Sequence, residues 1–285
     1  MRTSRVLAYL TLLAGLLLLS PLLCPAVALA HQPQDWMLSA GKTGTFVNLD
    51  VIFGAFQAGL ERRIPIYGKA NQLTLRGSAI AAIPFGSAQL DADLRIVVLI
   101  FGASVGIADT WRNQTFTPQE SLSRKERRER EAAGEMNGMA YGFFEGRVSL
   151  VLPMNDYLLF NCANAYRLTS ADSRSFDNLL GVVHDGDYLR SDIQLFFKHK
   201  AVGGFAPTAQ ILNFPLDGGR HTQVNYGFTF VSRAGLVRRD DVLLFQLLVH
   251  PGGTVGGYDN KNVYGMAVLR GPVGFTLAYR SVINL

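Results

Sequence analysis

The chain has 285 residues, of which 48% are hydrophobic and 17% are charged, and its formal net charge is +5. This charge is too mild to indicate a nucleic-acid partner. With only Cys24 and Cys162, the protein cannot be a small domain held together by several disulfides. Its 29 glycines and 11% aromatic residues are typical of a fold with many short strands and tight turns.

Residues 1–30 have the features of a secretory signal peptide. Two arginines precede an apolar run over residues 6–19, and Ala28-Leu29-Ala30 supplies the small residues of a cleavage site. The apolar run is shorter than the roughly 20 residues that a membrane-spanning helix needs. We therefore predict cleavage after residue 30, followed by a periplasmic N-terminal segment over residues 31–43.

Export would leave Cys162 as the single cysteine of the mature chain. A lipid anchor on Cys24 is the less favoured alternative, because the large Leu23 precedes that cysteine. Loss of Arg2 and Arg5 leaves 25 basic residues against 22 acidic ones, a net charge of +3. The mature protein must therefore obtain its stability without an internal disulfide.

Most of the chain after residue 43 alternates between apolar and polar residues. A period of two predicts strands with one apolar and one polar face. The clearest example is residues 88–100, in which Gln89, Asp91, Asp93 and Arg95 alternate with apolar side chains. Further strands are predicted over residues 45–60, 72–81, 141–152, 157–168, 177–183, 188–198, 205–214, 222–233, 242–250 and 262–270.

The polar segments between these strands predict their connections. We expect tight turns at Pro84, Pro153, Asp185 and Pro215, all at the periplasmic end if the N-terminus is periplasmic. Residues 112–138 contain a run of mixed charges and predict a long extracellular loop. A solvated loop is the favoured interpretation, and binding of lipopolysaccharide phosphates is the alternative.

The last predicted strand, residues 271–285, ends at the chain terminus. Val273, Phe275, Leu277 and Tyr279 alternate with small, polar or basic residues, and Ser281 interrupts the apolar series. This terminal pattern resembles that of Gram-negative outer-membrane β-barrel proteins, although those chains usually end in Phe and this one ends in Leu.

The resemblance implies a single antiparallel transmembrane β-barrel over residues 44–285, located in the outer membrane of a Gram-negative bacterium. We predict about twelve strands, with ten or fourteen as alternatives. A soluble β-sandwich would show the same alternation in a single strand. The resemblance further implies contact with outer-membrane lipids and lipopolysaccharide, and recognition of the terminal strand by the outer-membrane assembly machinery.

No residue pattern gives strong evidence for catalysis. Residues 102–106 match G-x-S-x-G, but no helix pattern follows, and parity places Ser104 on the lipid face. The same topology places His184, His221 and His250 at periplasmic strand ends and only His199 near an extracellular loop. We therefore predict no catalytic residue, no metal site and no cofactor, with a lipid-acting hydrolase as a remote alternative.

The strongest candidates for function are charged residues on the polar faces of the strands, which would line the barrel interior. Charges inside a barrel are costly unless they are paired, so a structural network and a charged constriction for solutes are equally favoured. A porin-like channel for small hydrophilic solutes is the first hypothesis, and a structural or adhesive barrel acting through its loops is the alternative. The candidates are Asp50, Arg76, Asp91, Asp93, Arg95, Glu145, Arg147, Arg190, Asp192 and Arg280.

Overall fold

The computed structural model shows an antiparallel β-barrel built from twelve of the sixteen strands that it describes. The predicted signal peptide and the N-terminal segment up to residue 42 lie outside the described residues, as does most of the 112–138 loop. Residues described are 43–52, 55–68, 71–82, 86–110, 129, 132–133, 139–170, 175–177, 182–184, 186–199, 203–216, 219–233, 241–249, 254–255, 258–259 and 273–285.

The strands follow one another closely in sequence. Two hairpins, β8 with β9 and β14 with β15, lie outside the barrel sheet. The bounds are β1 (Gly44–Ile52), β2 (Ala55–Tyr67), β3 (Asn71–Ala82), β4 (Gly86–Ile96), β5 (Leu99–Thr110), β6 (Met139–Pro153), β7 (Leu158–Thr169), β8 (Ser175–Asp177), β9 (Val182–His184), β10 (Asp187–His199), β11 (Gly203–Leu216), β12 (Gly219–Arg233), β13 (Val242–Val249), β14 (Thr254–Val255), β15 (Tyr258–Asp259) and β16 (Val273–Asn284).

The barrel closes between its first and last strands. Each strand pairs with the next along the chain, β7 pairs directly with β10, and β13 pairs directly with β16. β1 then pairs with β16, with Asp50 opposite Arg280 in the register. Closure leaves no unpaired edge among the barrel strands, which is what a sheet in lipid requires.

Alternating side chains give the barrel an apolar exterior and an interior that contains both polar side chains and a buried apolar cluster. The exposed large side chains include Phe56, Leu90, Phe101, Val148 and Ile193. Their neighbours along the same strands point inward and are buried or partly buried. An apolar outer belt around a polar interior is the architecture of outer-membrane β-barrels. Among the described residues, no helix is long and apolar enough to cross a membrane.

The connections differ sharply between the two ends of the barrel. At the end where β1 begins and β16 finishes, here the terminal end, they span residues 68–70, 97–98, 154–157, 200–202 and 234–241. At the opposite or loop end, they span residues 53–54, 83–85, 111–138, 170–186, 217–218 and 250–272. The three longest connections share the loop end, as expected of the extracellular side of an outer-membrane barrel.

Three of the four predicted periplasmic turns were assigned to the wrong end. The turn after Pro153 lies at the terminal end, as predicted, but Pro84, Asp185 and Pro215 belong to connections or strand ends at the loop end. The long 112–138 loop does connect its strands at the end opposite to the termini.

Two differences in the set of strands explain these errors. The missed β1–β2 hairpin within residues 45–60 moves Pro84 to the loop end, and the absence of a barrel strand over residues 177–183 moves Asp185 and Pro215 there. A second missed hairpin restores the predicted ends of the 112–138 loop and the Pro153 turn.

Residues 88–100 are not one strand, because Ile96 pairs with Leu99 across a two-residue turn at Val97 and Val98. This turn reverses the chain and shifts the alternation, so even-numbered residues of β5 face inward. Residues 45–60 likewise divide into β1 and the start of β2.

The predicted count of twelve strands is confirmed, although the set of strands differs. Residues 177–183 overlap the small β8–β9 hairpin and contribute no barrel strand. The predicted strand over residues 262–270 lies outside the described residues, and β13 pairs with β16 without an intervening strand. The two hairpins missed within residues 45–60 and 88–100 compensate for these two strands.

Candidate functional site

All ten charged candidates lie on strand faces that point into the barrel. Asp50, Asp91, Asp93, Glu145, Arg147 and Arg190 are buried there. Arg76, Arg95, Asp192 and Arg280 are partly buried at inward positions of β3, β4, β10 and β16. Their role in passing a solute remains a prediction.

Arg147 on β6 is the centre of a charged network that crosses three strands. Its Nη2 donates to Asp93 Oδ1 at 2.9 Å, and its Nη1 donates to Asp91 Oδ1 at 3.3 Å. The same Nη1 reaches Glu145 Oε1 at 3.2 Å. Three carboxylates surround this guanidinium, and Arg76 at 3.3 Å from Asp91 supplies a second cation.

Small residues on β5 make this network possible. Gly102 lies between Asp93 of β4 and Arg147 of β6 in the register, and a Cβ there would collide with both side chains. Ser104 lies between Asp91 and Glu145, and its hydroxyl donates to Asp91 and accepts from Arg147. The G-x-S-x-G match therefore marks space for ion pairs, not a nucleophile elbow.

The prediction that Ser104 faces lipid is wrong. Its side chain is buried inside the barrel, because the Val97–Val98 turn shifts the alternation of β5. The histidine assignments are also reversed. His184 and His221 belong to segments at the loop end, His250 lies outside the described residues, and His199 ends β10 at the terminal end.

Charged residues missed from the sequence extend the network toward the loop end. Arg167 on β7 donates through Nε to Glu145 Oε2 at 2.8 Å, and its guanidinium lies 4.1 Å from the ring centroid of Phe143. Tyr188 on β10 donates to the same carboxylate oxygen at 3.4 Å. Arg167 alternates with the exposed Tyr166 and Leu168 along β7, so period-two parity was the signal that could have identified it.

A second charged group lies on β1 and β2. Arg63 and Glu61 form an ion pair, and Asn48 Nδ2 donates to Glu61 Oε2 at 3.0 Å. The ring of Phe46 lies 4.3 Å below the Arg63 guanidinium. Glu61 and Arg63 were not among the predicted candidates, because the predicted strand over residues 45–60 ended before them.

The wall formed by β10 to β13 has a different chemistry, in which neutral amides and hydroxyls lie among buried apolar side chains such as Phe196, Phe214 and Leu244. Gln194 Nε2 donates to Thr229 Oγ1 at 3.2 Å, and Gln246 Nε2 donates to the same hydroxyl at 3.0 Å. Asn225 Nδ2 donates to Gln210 Oε1 at 3.0 Å. The interior therefore has a charged wall on β2 to β7 and, opposite, a wall of neutral polar and apolar side chains.

Arg190 and Asp192 form the main charged pair of this neutral wall. Arg190 Nε donates to Asp192 Oδ2 at 2.6 Å, and Gln210 Nε2 donates to Asp192 Oδ1 at 3.0 Å. Arg190 Nη1 is buried without a hydrogen-bond partner. Arg95 is the candidate at the terminal end of the interior, where its Nε donates to Val97 O at 3.3 Å.

The described residues contain no cluster of three or more side chains suited to hold a metal ion. Asp185, which the sequence placed beside His184 and Asp187, lies outside the described residues. Asp187 instead accepts from the Tyr166 hydroxyl at 2.7 Å and from Arg220 Nη1 at 3.0 Å on the outer face.

No protein-family model and no curated protein match the chain. Solved structures with a similar arrangement include the NanC porin, at 11% identity over 85% of this chain and 99% of that one, with a TM-score of 0.39. The translocator domain of autotransporter NalP from Neisseria meningitidis is 11% identical over 87% and 91%, with a TM-score of 0.39. OmpT, an outer membrane protein of Vibrio cholerae, is 9% identical over 86% and 100%, with a TM-score of 0.32. Likenesses at this level carry no inference about function.

Proposed function

We propose that this barrel is a passive channel for small hydrophilic solutes in the outer membrane. The observation that carries the proposal is the set of polar side chains in the interior, with ionised groups on one wall and amides and hydroxyls among apolar side chains on the other. Buried charges are expensive, and a barrel that served only as an anchor could be filled with apolar side chains at lower cost. A solute surrounded by these groups exchanges hydrogen bonds with water for hydrogen bonds with the wall.

Planar-bilayer recordings of the refolded protein test this proposal through ion selectivity. Arg147→Gln removes the cation among Asp91, Asp93 and Glu145, so we expect the reversal potential in a salt gradient to shift toward cation selectivity. Asp93→Asn removes one of these anions and should shift the reversal potential in the opposite direction. Val148→Ala, on the outer face beside Arg147, is the matched control and should change neither conductance nor selectivity. Absence of ion steps at every voltage would overturn the proposal.

A second role in adhesion is supported by the clustering of the longest connections at the loop end. We propose that residues 111–138 face the outside of the cell, where they are available to a partner. Deletion of residues 115–135 should then reduce whole-cell binding while leaving the bilayer conductance intact. Unchanged cell binding by a deletion variant that reaches the surface would contradict this role.

The proposed location requires export, so we propose cleavage after residue 30 and insertion into the outer membrane of a Gram-negative bacterium, with contacts to its lipids and lipopolysaccharide. N-terminal sequencing of the protein from outer-membrane fractions checks the cleavage site directly. An intact N-terminus in that fraction would contradict it.

The assembly machinery would recognise β16, so deletion of β16 should prevent recovery of the protein from the same fraction.

We propose no enzymatic activity for the barrel. The Ser104 hydroxyl is held by Asp91 and Arg147, and its G-x-S-x-G segment is an ordinary part of β5. Incubation of the refolded protein with a fluorescent phospholipid should release no labelled product. Release that disappears with His199→Ala or Ser104→Ala would establish the hydrolase alternative.

A further inference from the structure

The outer face of β7 and β10 carries a hydrogen-bonded polar pair within the apolar belt. Asn164 and Ser191 are opposite each other in the register, and Ser191 Oγ donates to Asn164 Oδ1 at 2.7 Å. Asn161 and Ala165 of the same strand are buried in the interior, whereas Asn164 is exposed on the opposite face. The polar pair therefore points toward the membrane.

Apolar side chains surround this pair. In the register, Val148 of β6 lies beside Asn164, and Ile211 of β11 lies beside Ser191. Leu189 and Ile193 flank Ser191 along β10, and both are exposed. The pair thus lies inside the belt that faces hydrocarbon and not at its polar boundary.

Other outward polar contacts lie nearer to the barrel ends. Arg62 donates to Thr45 Oγ1 at 2.6 Å beside the start of β1, and a long arginine can extend its charge to the interface. The Arg220 contact with Asp187 lies at the loop-end limits of β12 and β10. Headgroups and water can satisfy groups at these two boundaries.

The amide of Asn164 lacks a strong acceptor on its own barrel. Its Nδ2 lies 3.8 Å from Cys162 Sγ, and sulfur is a weak acceptor. Lipid acyl chains offer no hydrogen-bond acceptor, so an amide exposed to them loses the interactions that it has in water. A protein surface with a polar group at the same membrane depth would remove this cost.

The surface around the pair also permits close approach. A Cβ at Gly146 of β6 would meet no atom within 4 Å, so the outer surface is open there. Cys162 and Ser191 are likewise small. Small residues allow membrane-embedded backbones to pack closely, which strengthens van der Waals contact and interchain hydrogen bonds.

We propose that the outer face of β6, β7 and β10 around Asn164 and Ser191 is the docking surface for a second copy of this chain. Asn164 has both donors and an acceptor, so two copies related by a two-fold axis can exchange hydrogen bonds between identical patches. A second copy inserted in the same orientation has its polar pair at the same depth in the membrane, because the two chains are identical. An unrelated partner would need a matching polar group at that depth.

Cys162 provides a direct test because it lies beside Asn164 on the same face. The full chain with Cys24→Ser, refolded into lipid nanodiscs large enough for two barrels, is treated with a short bismaleimide. We expect a crosslinked dimer through Cys162. In the matched control, Cys162→Ala is combined with Ala58→Cys on the outer face of β2, five strands away around the barrel, and should give little dimer.

Asn164→Leu with Ser191→Ala should lower the crosslinked fraction by about tenfold, because it removes the exchanged hydrogen bonds. Leucine and alanine are both compatible with a lipid-facing surface. A shift in gel mobility on heating that equals that of the original protein shows that the variant folds. If it does not fold, the comparison of Cys162 with Ala58→Cys still decides the proposal. Equal dimer yields at the two positions, or a monomeric mass by light scattering at all protein-to-lipid ratios, would overturn it.

Discussion

Gly102 faces the barrel interior between two charged side chains on neighbouring strands. Asp93 and Arg147 form their 2.9 Å contact across the position where any other residue would carry a side chain. The charged network therefore depends on the absence of a Cβ at one residue. The loss of stability caused by a methyl group at Gly102 can therefore be compared with the loss at a glycine whose Cβ position is unoccupied.

Gly102→Ala should destabilise the folded barrel by about 1–3 kcal/mol, because the new methyl group displaces Asp93 or Arg147. Urea unfolding in detergent micelles, followed by tryptophan fluorescence or gel mobility, measures this difference. Gly146→Ala is the matched control, since a Cβ on that outward face meets no atom within 4 Å. Equal stability of the two variants would show that the network does not depend on the space above Gly102.

The β4–β5 hairpin shows how an element depends on one turn residue. Val97 has a φ of 53°, in the left-handed region, whereas Val98 does not have a positive φ. A positive φ at the first of two central residues is the pattern of a type II′ turn, which favours glycine there. Asn71 Oδ1 accepts from Val97 N at 3.0 Å and helps to hold this conformation.

Val97→Gly should stabilise the barrel by about 1 kcal/mol, because a β-branched residue in the left-handed region is strained by roughly that amount. Val98→Gly provides the comparison, since that residue gains no relief from strain and loses backbone order. The same urea titration measures both variants. A loss of stability with Val97→Gly would contradict this account of the turn.

This hairpin also marks the limit of what the sequence could predict. Period-two alternation is local, so it correctly placed Asp50, Asp91, Glu145 and Arg190 on inward faces. Val97 and Val98 resemble strand residues and contain no turn signal, so the reversal between β4 and β5 was not visible. The inward position of Ser104 depends on that reversal.

The side-chain contacts between strands could not be predicted from alternation either. Asp93 and Arg147 are on β4 and β6, and they meet across Gly102 only because the register of two strand pairs aligns them. Alternation assigns a face to each residue, but it gives no register. The members of the network were therefore partly predictable, whereas their pairing was not.

The whole barrel is closed by the contact between β1 and β16. At this seam, Arg280 donates through Nε to Asp50 Oδ1 at 2.7 Å and through Nη2 to Oδ2 at 2.9 Å. A bidentate geometry fixes both the distance and the register of the two strands. Ser281, whose polarity interrupts the apolar series of β16, donates to the buried Asp241 at 2.9 Å.

Arg280→Ala should weaken closure by about 3–5 kcal/mol, because it leaves the buried Asp50 carboxylate without this partner. The temperature at which the folded band converts to the unfolded band in a gel measures the effect. The exchange of the two charges, Asp50→Arg with Arg280→Asp, should recover part of the loss. No recovery, with Arg280→Ala as stable as the original protein, would show that the seam does not need this pair.

The seam contact joins residues separated by 230 positions in the chain. Asp50 belongs to the first barrel strand to be synthesised, and the cation that neutralises it belongs to the last. A fragment that stopped before β16 would leave the Asp50 carboxylate without its cation, beside an open sheet edge. The ion pair thus makes stable insertion depend on a complete set of strands. Truncated chains are therefore less stable in the membrane, and no separate quality-control factor is needed to distinguish them.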